Sequence, residues 1–162
     1  MKNKIAFLLM AGVVGGCTAV QPAVEVGPLG DAAVGYVPVS RSMEVTAGQL
    51  VLSSGMASFK ERKGTMLLRY AKTLGEDDVA QDSWFGGVGG PKVYLYQVLN
   101  DDLYYRANAG RNGMCGKPVK WLALSPKENG DMSLCEVTDE GGSLAPDKPT
   151  VCGCGVYMKQ SK

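Results

Sequence analysis

The sequence predicts a mainly β domain, a small antiparallel sandwich or open barrel stapled by disulfides in its C-terminal third. Three observations predict it. Short apolar–polar alternations recur between frequent Gly, Pro, Asn and Asp punctuation, the spacing of half-buried antiparallel strands. Asn129-Gly130 sits between two apolar segments, the strongest short-range signal of a hairpin. Four cysteines, Cys115, Cys135, Cys152 and Cys154, are confined to the end of the chain.

The first element is not part of that domain. Met1-Lys2-Asn3-Lys4 is a basic start, and Ile5 to Val14 is an apolar run followed by Gly15-Gly16-Cys17. The run is shorter than the roughly 20 residues a membrane-spanning helix needs, so it reads as an export signal. Its ending resembles the lipobox of bacterial lipoproteins, with Val14 where Leu is usual and Gly15 where Ala or Ser is usual. The resemblance covers only the first seventeen residues. It implies a signal peptide over 1–16, acylation (palmitate included) at Cys17, and attachment to a membrane through that lipid. Thr18 in place of Asp implies delivery to the outer membrane, with the domain on the periplasmic side. Cleavage after Ala19 is the rival reading, because Cys17-Thr18-Ala19 also has the small residues that such a cut requires.

Residues 17–40 read as a lipidated N-terminus and flexible tether, with Pro22, Pro28, Pro38, Gly27, Gly30 and Gly35 among small residues. A second reading makes Val34–Val39 an edge strand, where Pro38 is tolerated. Residues 41–162 read as a single β-rich domain. Within Met43–Ser53, Gln49-Leu50-Val51-Leu52 suits a strand. Gly64–Leu74 fits either period: Met66, Tyr70 and Leu74 lie on one helix face, Met66, Leu68 and Tyr70 on one strand face.

Two hairpins follow. Val93–Leu99 and Asp102–Asn108 flank Asn100-Asp101; a two-residue turn sets Tyr96 opposite Tyr105, Val98 opposite Leu103 and Tyr94 opposite Ala107, all on one core face. A turn at Asn129-Gly130 sets Leu122 opposite Val137 and Leu124 opposite Cys135, pointing Cys135 inward. That register opposes Glu128 to Asp131, a like-charge conflict that a longer loop relieves. Asp139–Thr150 reads as a loop and Val151–Met158 as the last strand.

Composition narrows the function. Removing 16 signal residues from 162 leaves 146, enough for one domain. Loss of Lys2 and Lys4 takes the formal charge from +1 to −1, a balance that argues against nucleic acid. Once Cys17 is set aside, an even set of four cysteines in an exported chain reads as two disulfides. A bridge between near neighbours Cys152 and Cys154 would be strained, so Cys115 and Cys135 each reach one of that pair. Zinc is disfavoured, since paired CxxC knuckles and histidine are both lacking.

Without histidine, the common nucleophile–base pairs are unavailable. Gly86-Gly87-Val88-Gly89-Gly90-Pro91-Lys92 lacks the phosphate-loop spacing, and Pro91 removes a donor where one is needed. Glu76-Asp77-Asp78 and Asp101-Asp102 lack the alternating oxygen ligands of a calcium loop. Lys60-Glu61-Arg62-Lys63 reads as an exposed turn between strands. Trp84-Phe85, beside the glycine cluster, reads either as a satellite core or as a partner-binding knob. Together these point to a lipid-anchored envelope protein of non-enzymatic binding or structural type, needing no cofactor. Its expected partner is an envelope protein or cell-wall component. The alternatives are a protective lipoprotein built like lysozyme inhibitors, and an enzyme using carboxylates on an envelope glycan.

Overall fold

Neighbouring strands of this chain pair one after another until the last meets the first. A computed structural model describes residues 27–75, 92–109, 116–138 and 151–161. Its strands are β1 (Val34–Pro38), β2 (Leu50–Ser53), β3 (Met56–Phe59), β4 (Met66–Leu74), β5 (Val93–Val98), β6 (Trp121–Pro126), β7 (Met132–Val137) and β8 (Val151–Lys159). Helix α1 (Arg41–Thr46) joins β1 to β2, and α2 (Asp101–Asn108) lies between β5 and β6. Every pairing is antiparallel, and β1–β8 pairing closes the barrel. The mainly β antiparallel class is therefore as expected, and closure abolishes the exposed edges of an open sheet.

Val34–Val39 follows the strand reading. It lies between β2 and β8, so the barrel begins before residue 41. Pro38 ends β1, and the next residue resumes the pairing through the Val39 N–H to the Val156 carbonyl at 2.9 Å. Gly64–Leu74 also resolves as strand from Met66, with Met66 and Leu68 buried and Leu67 and Arg69 exposed. Only part of Met43–Ser53 is extended. Ser40 caps α1 by accepting the Met43 N–H, and Gly48 at φ +68° redirects the chain into β2.

The first hairpin expectation is overturned. Asp102–Asn108 belongs to α2, and β5 pairs instead with β4 and β6. Asp101 and Asp102 occupy the first turn of α2 and Arg106 the last, a distribution that complements the helix dipole. Tyr104 and Asn108, one helical turn apart, are its buried residues. Asn100 also prevents a tight reversal. Its amide accepts the Leu67 N–H at 2.8 Å and donates to the Thr65 carbonyl at 2.9 Å, tying the end of β5 to the start of β4. Tyr94, Tyr96 and Val98 do share the core face of β5, but Tyr96 faces Tyr70 and Leu122.

The second hairpin forms with its register shifted by one residue. Lys127 and Asp131 are joined by the Lys127 N–H to the Asp131 carbonyl at 2.8 Å. The turn is thus the three residues Glu128-Asn129-Gly130, with Gly130 at φ +86°. Leu122 pairs with Glu136, Ala123 with Cys135 and Leu124 with Leu134. Cys135 accordingly leaves the inner face. It joins Leu74, Val93, Leu95 and Ala123 in a buried cluster on the outer side of the sheet, where Cys154 is its direct neighbour on β8. The Cys135–Cys154 disulfide forms there, with Cα atoms 4.1 Å apart. Cys152 is disulfide-bonded too; Cys115 lies outside the described residues.

Replacing both Cys135 and Cys154 by Ala releases a crosslink spanning 19 positions. The chain-entropy account puts such a loop at about 3 kcal/mol. A fall of that order in unfolding free energy is expected from denaturant titration, and an unchanged midpoint would show that strand pairing alone fixes the β7–β8 register.

Candidate functional site

In an up-and-down barrel, alternate connections share an end. The β1–β2, β3–β4, β5–β6 and β7–β8 connections lie at one end; the β2–β3, β4–β5 and β6–β7 connections lie at the other, with residues 27–33 and the end of β8. The two ends differ in chemistry.

The first is sealed around a charge pair. Arg62 comes from Lys60-Glu61-Arg62-Lys63, expected to be an exposed turn. That turn does join β3 to β4, but Arg62 is buried. Its guanidinium sits 4.7 Å from the centre of the Phe59 ring and forms an ion pair with Glu136. A second bond runs from Nη2 to Oε2 at 3.5 Å. The two side chains keep only 3% and 5% of their surface exposed. Glu136 faces Arg62 only because the β6–β7 register turns it inward. Burial raises the Glu136 carboxyl above its ordinary range, and Arg62 opposes that shift. Tyr104 of α2 and Tyr157 of β8 complete the surroundings. Desolvation pushes Tyr104 up to about 12 despite the neighbouring guanidinium. Tyr157 rises from the same cause. Both phenols are neutral at any physiological pH. A charge pair this deep meets no solute from solvent, so its work is to bind β3, β7 and their surroundings to one another.

The opposite end is open. A cleft of about 350 Å³ enters the barrel there, walled by Leu29, Val34, Tyr36, Tyr94, Leu124 and Met132. Pro28-Leu29-Gly30 lies across it. Leu29 packs on the core and its N–H donates to the Tyr96 hydroxyl at 3.2 Å. Gly27 approaches so closely that a Cβ would stand 2.6 Å from that oxygen and 2.8 Å from the Tyr70 side chain. Tyr70 and Tyr96 meet edge to face, centroids 5.6 Å apart. Desolvation pushes the Tyr96 phenol up to about 12. A second cleft adjoins the first, sharing Val34 and Lys159, with Asn129, Gln160 and Ser161 on its wall. An apolar compartment therefore adjoins a mixed one, whose wall also includes Ala32 and Ala33, beside a lysine.

Of the residues singled out in the sequence, Cys135 and Cys154 are brought together as expected. Cys17, Cys115, Trp84, Phe85 and Gly86–Pro91 lie outside the described residues, as does the 139–150 loop. Among the described residues, no three His, Cys, Asp or Glu side chains gather as metal ligands. No described helix is long and apolar enough to cross a membrane. Comparison with known proteins finds no matching family, characterised protein or solved structure. The site must be read from its own residues.

Arg62, Glu136, Leu29 and Lys159 escaped sequence reading. One signal was available for the first two: the like-charge conflict at Glu128 and Asp131 already favoured the register that turns Glu136 inward.

Glu136→Leu strips the buried guanidinium of its carboxylate and is expected to cost about 3–5 kcal/mol. Combining it with Arg62→Met should recover much of the loss in denaturant midpoint; a double variant as unstable as the single would point to shape rather than charge. The tyrosines set an alkaline limit. Unfolded phenols titrate near about 10, so between there and about 12, where Tyr96 and Tyr104 titrate in the fold, the unfolded chain ionises first. Their contribution is whole below the unfolded value and is lost as pH rises through the folded one. Phenolate absorbance should rise together with unfolding, and Tyr96→Phe should move that transition to higher pH.

Proposed function

We propose that this chain is an exported lipoprotein of the bacterial envelope, acylated at Cys17, whose barrel is a binding module rather than an enzyme. The observation that carries the reading is where the chain enters the barrel. Gly27 to Gly30 lie at the open mouth, and Cys17 is ten positions before Gly27. Such a segment reaches at most about 3.6 Å per residue. A lipid on Cys17 therefore attaches the barrel through the segment that borders its mouth. Residues 17–26 act as the tether, and the signal over 1–16 is removed.

The rest of the chain supports export. The disulfides at Cys135–Cys154 and at Cys152 are those of an oxidising compartment. Thr18 directs the lipoprotein to the outer membrane, with the barrel in the periplasm. The connection that carries Trp84-Phe85 leaves β4 and enters β5 at the same end as the mouth. Trp84 and Phe85 are the aromatic anchors for a partner, an envelope protein or cell-wall component.

Intact mass of the mature protein purified from its membrane tests the anchor: an acylated N-terminus beginning at Cys17 is expected. A soluble chain beginning at Val20 without lipid mass would end this reading. In-cell cross-linking then compares the anchored protein with an exported Cys17→Ser form. The anchored form should recover a defined partner, and Trp84→Ala should lose it while keeping the thermal transition.

A further inference from the structure

We infer that the mouth of the barrel binds a fatty acid, with the chain in the apolar cleft and the carboxylate at Lys159, and that Pro28-Leu29-Gly30 is the segment this ligand displaces. The inference deepens the binding-module reading and rests on it for the source of ligand, the adjoining bilayer.

The shape of the mouth selects the ligand class. Leu29, Val34, Tyr36, Tyr94, Leu124 and Met132 present an apolar wall, and the cleft volume of about 350 Å³ lies at the small end of ligand pockets. That suits one acyl chain rather than two. The cleft adjoins a second one in which Asn129, Gln160 and Ser161 stand among Ala32, Ala33 and Gly35, and Lys159 lines both. An amphiphile with an apolar tail and an anionic head meets both halves of this arrangement.

Charge fixes the sign of the head group. The ion pairs among the described residues are Arg62–Glu136 and Lys120–Asp101, neither of which includes Lys159. The Asp131 carboxylate lies beside the Lys159 backbone and is held by neutral donors. Its Oδ1 accepts the Lys159 backbone N–H at 3.2 Å and its Oδ2 accepts the Asn129 amide at 2.8 Å. The Lys159 stem runs over Gly130, where an added Cβ would stand 3.3 Å from Cδ. Its ammonium is thus carried past the turn toward the clefts on an apolar stem.

Leu29 shows what an occupant of the mouth looks like. Its side chain is half-buried against the core, between the exposed Pro28 and Gly30. The segment is held by two hydrogen bonds, from the Leu29 N–H to the Tyr96 hydroxyl at 3.2 Å and from the Ser54 N–H to the Gly30 carbonyl at 2.9 Å. An acyl chain covering the same apolar wall makes up for the loss of a single leucine. Displacement takes the Leu29 donor from the Tyr96 hydroxyl, a loss that burial of the acyl chain has to offset.

The test titrates the full exported chain bearing Cys17→Ser, so that no attached acyl group competes. Dodecanoate, its methyl ester and dodecyltrimethylammonium are compared by calorimetry. Saturable binding of one dodecanoate per chain is expected, with the ester about tenfold weaker and the cation weaker still. From octanoate to dodecanoate the affinity should rise about fourfold per methylene until the cleft is full. Lys159→Gln should weaken dodecanoate about tenfold and leave the ester unchanged. Leu29→Gly should tighten both, provided its near-ultraviolet circular dichroism matches that of the unsubstituted chain.

No saturable binding by the chain or by Leu29→Gly overturns the proposal. Equal binding of acid and ester, indifferent to Lys159→Gln, overturns the carboxylate assignment. Weaker binding by a folded Leu29→Gly overturns displacement. These outcomes separate from the fate of the anchor: an acylated Cys17 with failed dodecanoate binding removes only the ligand, whereas an unacylated chain that binds dodecanoate removes only the anchor.

Discussion

Gly130 sits at φ +86°, and much of this molecule follows from the turn it permits. A turn of three residues rather than two shifts the parity of β7, and parity in a strand decides which side chains face inward. The shift carries Glu136 into the barrel, where Arg62 meets it, and carries Cys135 out to the surface where Cys154 is its neighbour. With the other parity, Cys135 would enter the barrel away from Cys154 and Glu136 would turn away from the guanidinium. The charge pair and the crosslink are therefore consequences of one local backbone choice, and each in turn disfavours slippage. A slip would cost both at once.

What was legible in the sequence was whatever depended on local pattern. Alternation and turn residues pointed to the β class, and the even cysteine set pointed to a bridge from Cys135 to one of Cys152 and Cys154, without deciding which, while the side of the sheet was misjudged. The last strand was legible because Val151–Met158 is bounded by Gly- and Pro-rich chain. The misreadings share one cause, that tertiary partners overrode local period. Tyr104 and Tyr105 have strand-like neighbours, yet the segment is helical because Asn100 binds across to β4 and Tyr104 and Asn108 are both needed inside. Arg62 looked solvated because its neighbours Lys60, Glu61 and Lys63 are exposed; only the distant Glu136 makes its burial tolerable. The cleft was illegible for the same reason, since Leu29, Tyr94 and Met132 stand far apart in the chain.

The two ends of the barrel divide its work. An eight-stranded barrel is just wide enough to be filled by side chains or to admit one small ligand; this one is filled around the charge pair and carries a cleft at the opposite end. At the sealed end, Phe59, Tyr104 and Tyr157 surround a guanidinium and a carboxylate, whose desolvation is offset by their close pairing together with the Phe59 ring and Tyr104. Such a pair contributes less to net stability than to uniqueness, because few other arrangements of these strands would satisfy both charges. At the open end the corresponding space is bordered by tyrosines and aliphatic groups and crossed by a short segment bonded to Tyr96 and Ser54.

That asymmetry limits what can enter. Tyr96 and Leu122, register partners across β5 and β6, are fully buried and belong to the continuous core. A ligand entering the mouth meets this floor before it reaches Arg62, so the sealed charge pair cannot serve as the recognition group for its head. Polar recognition has to occur at the rim, and the rim offers Lys159 with Asn129, Gln160 and Ser161. An occupant must then lie tail inward and head outward, the orientation an amphiphile already has as it leaves a bilayer. The segment that lies across the mouth continues toward Cys17, so the same stretch of chain that positions the barrel also borders its entrance.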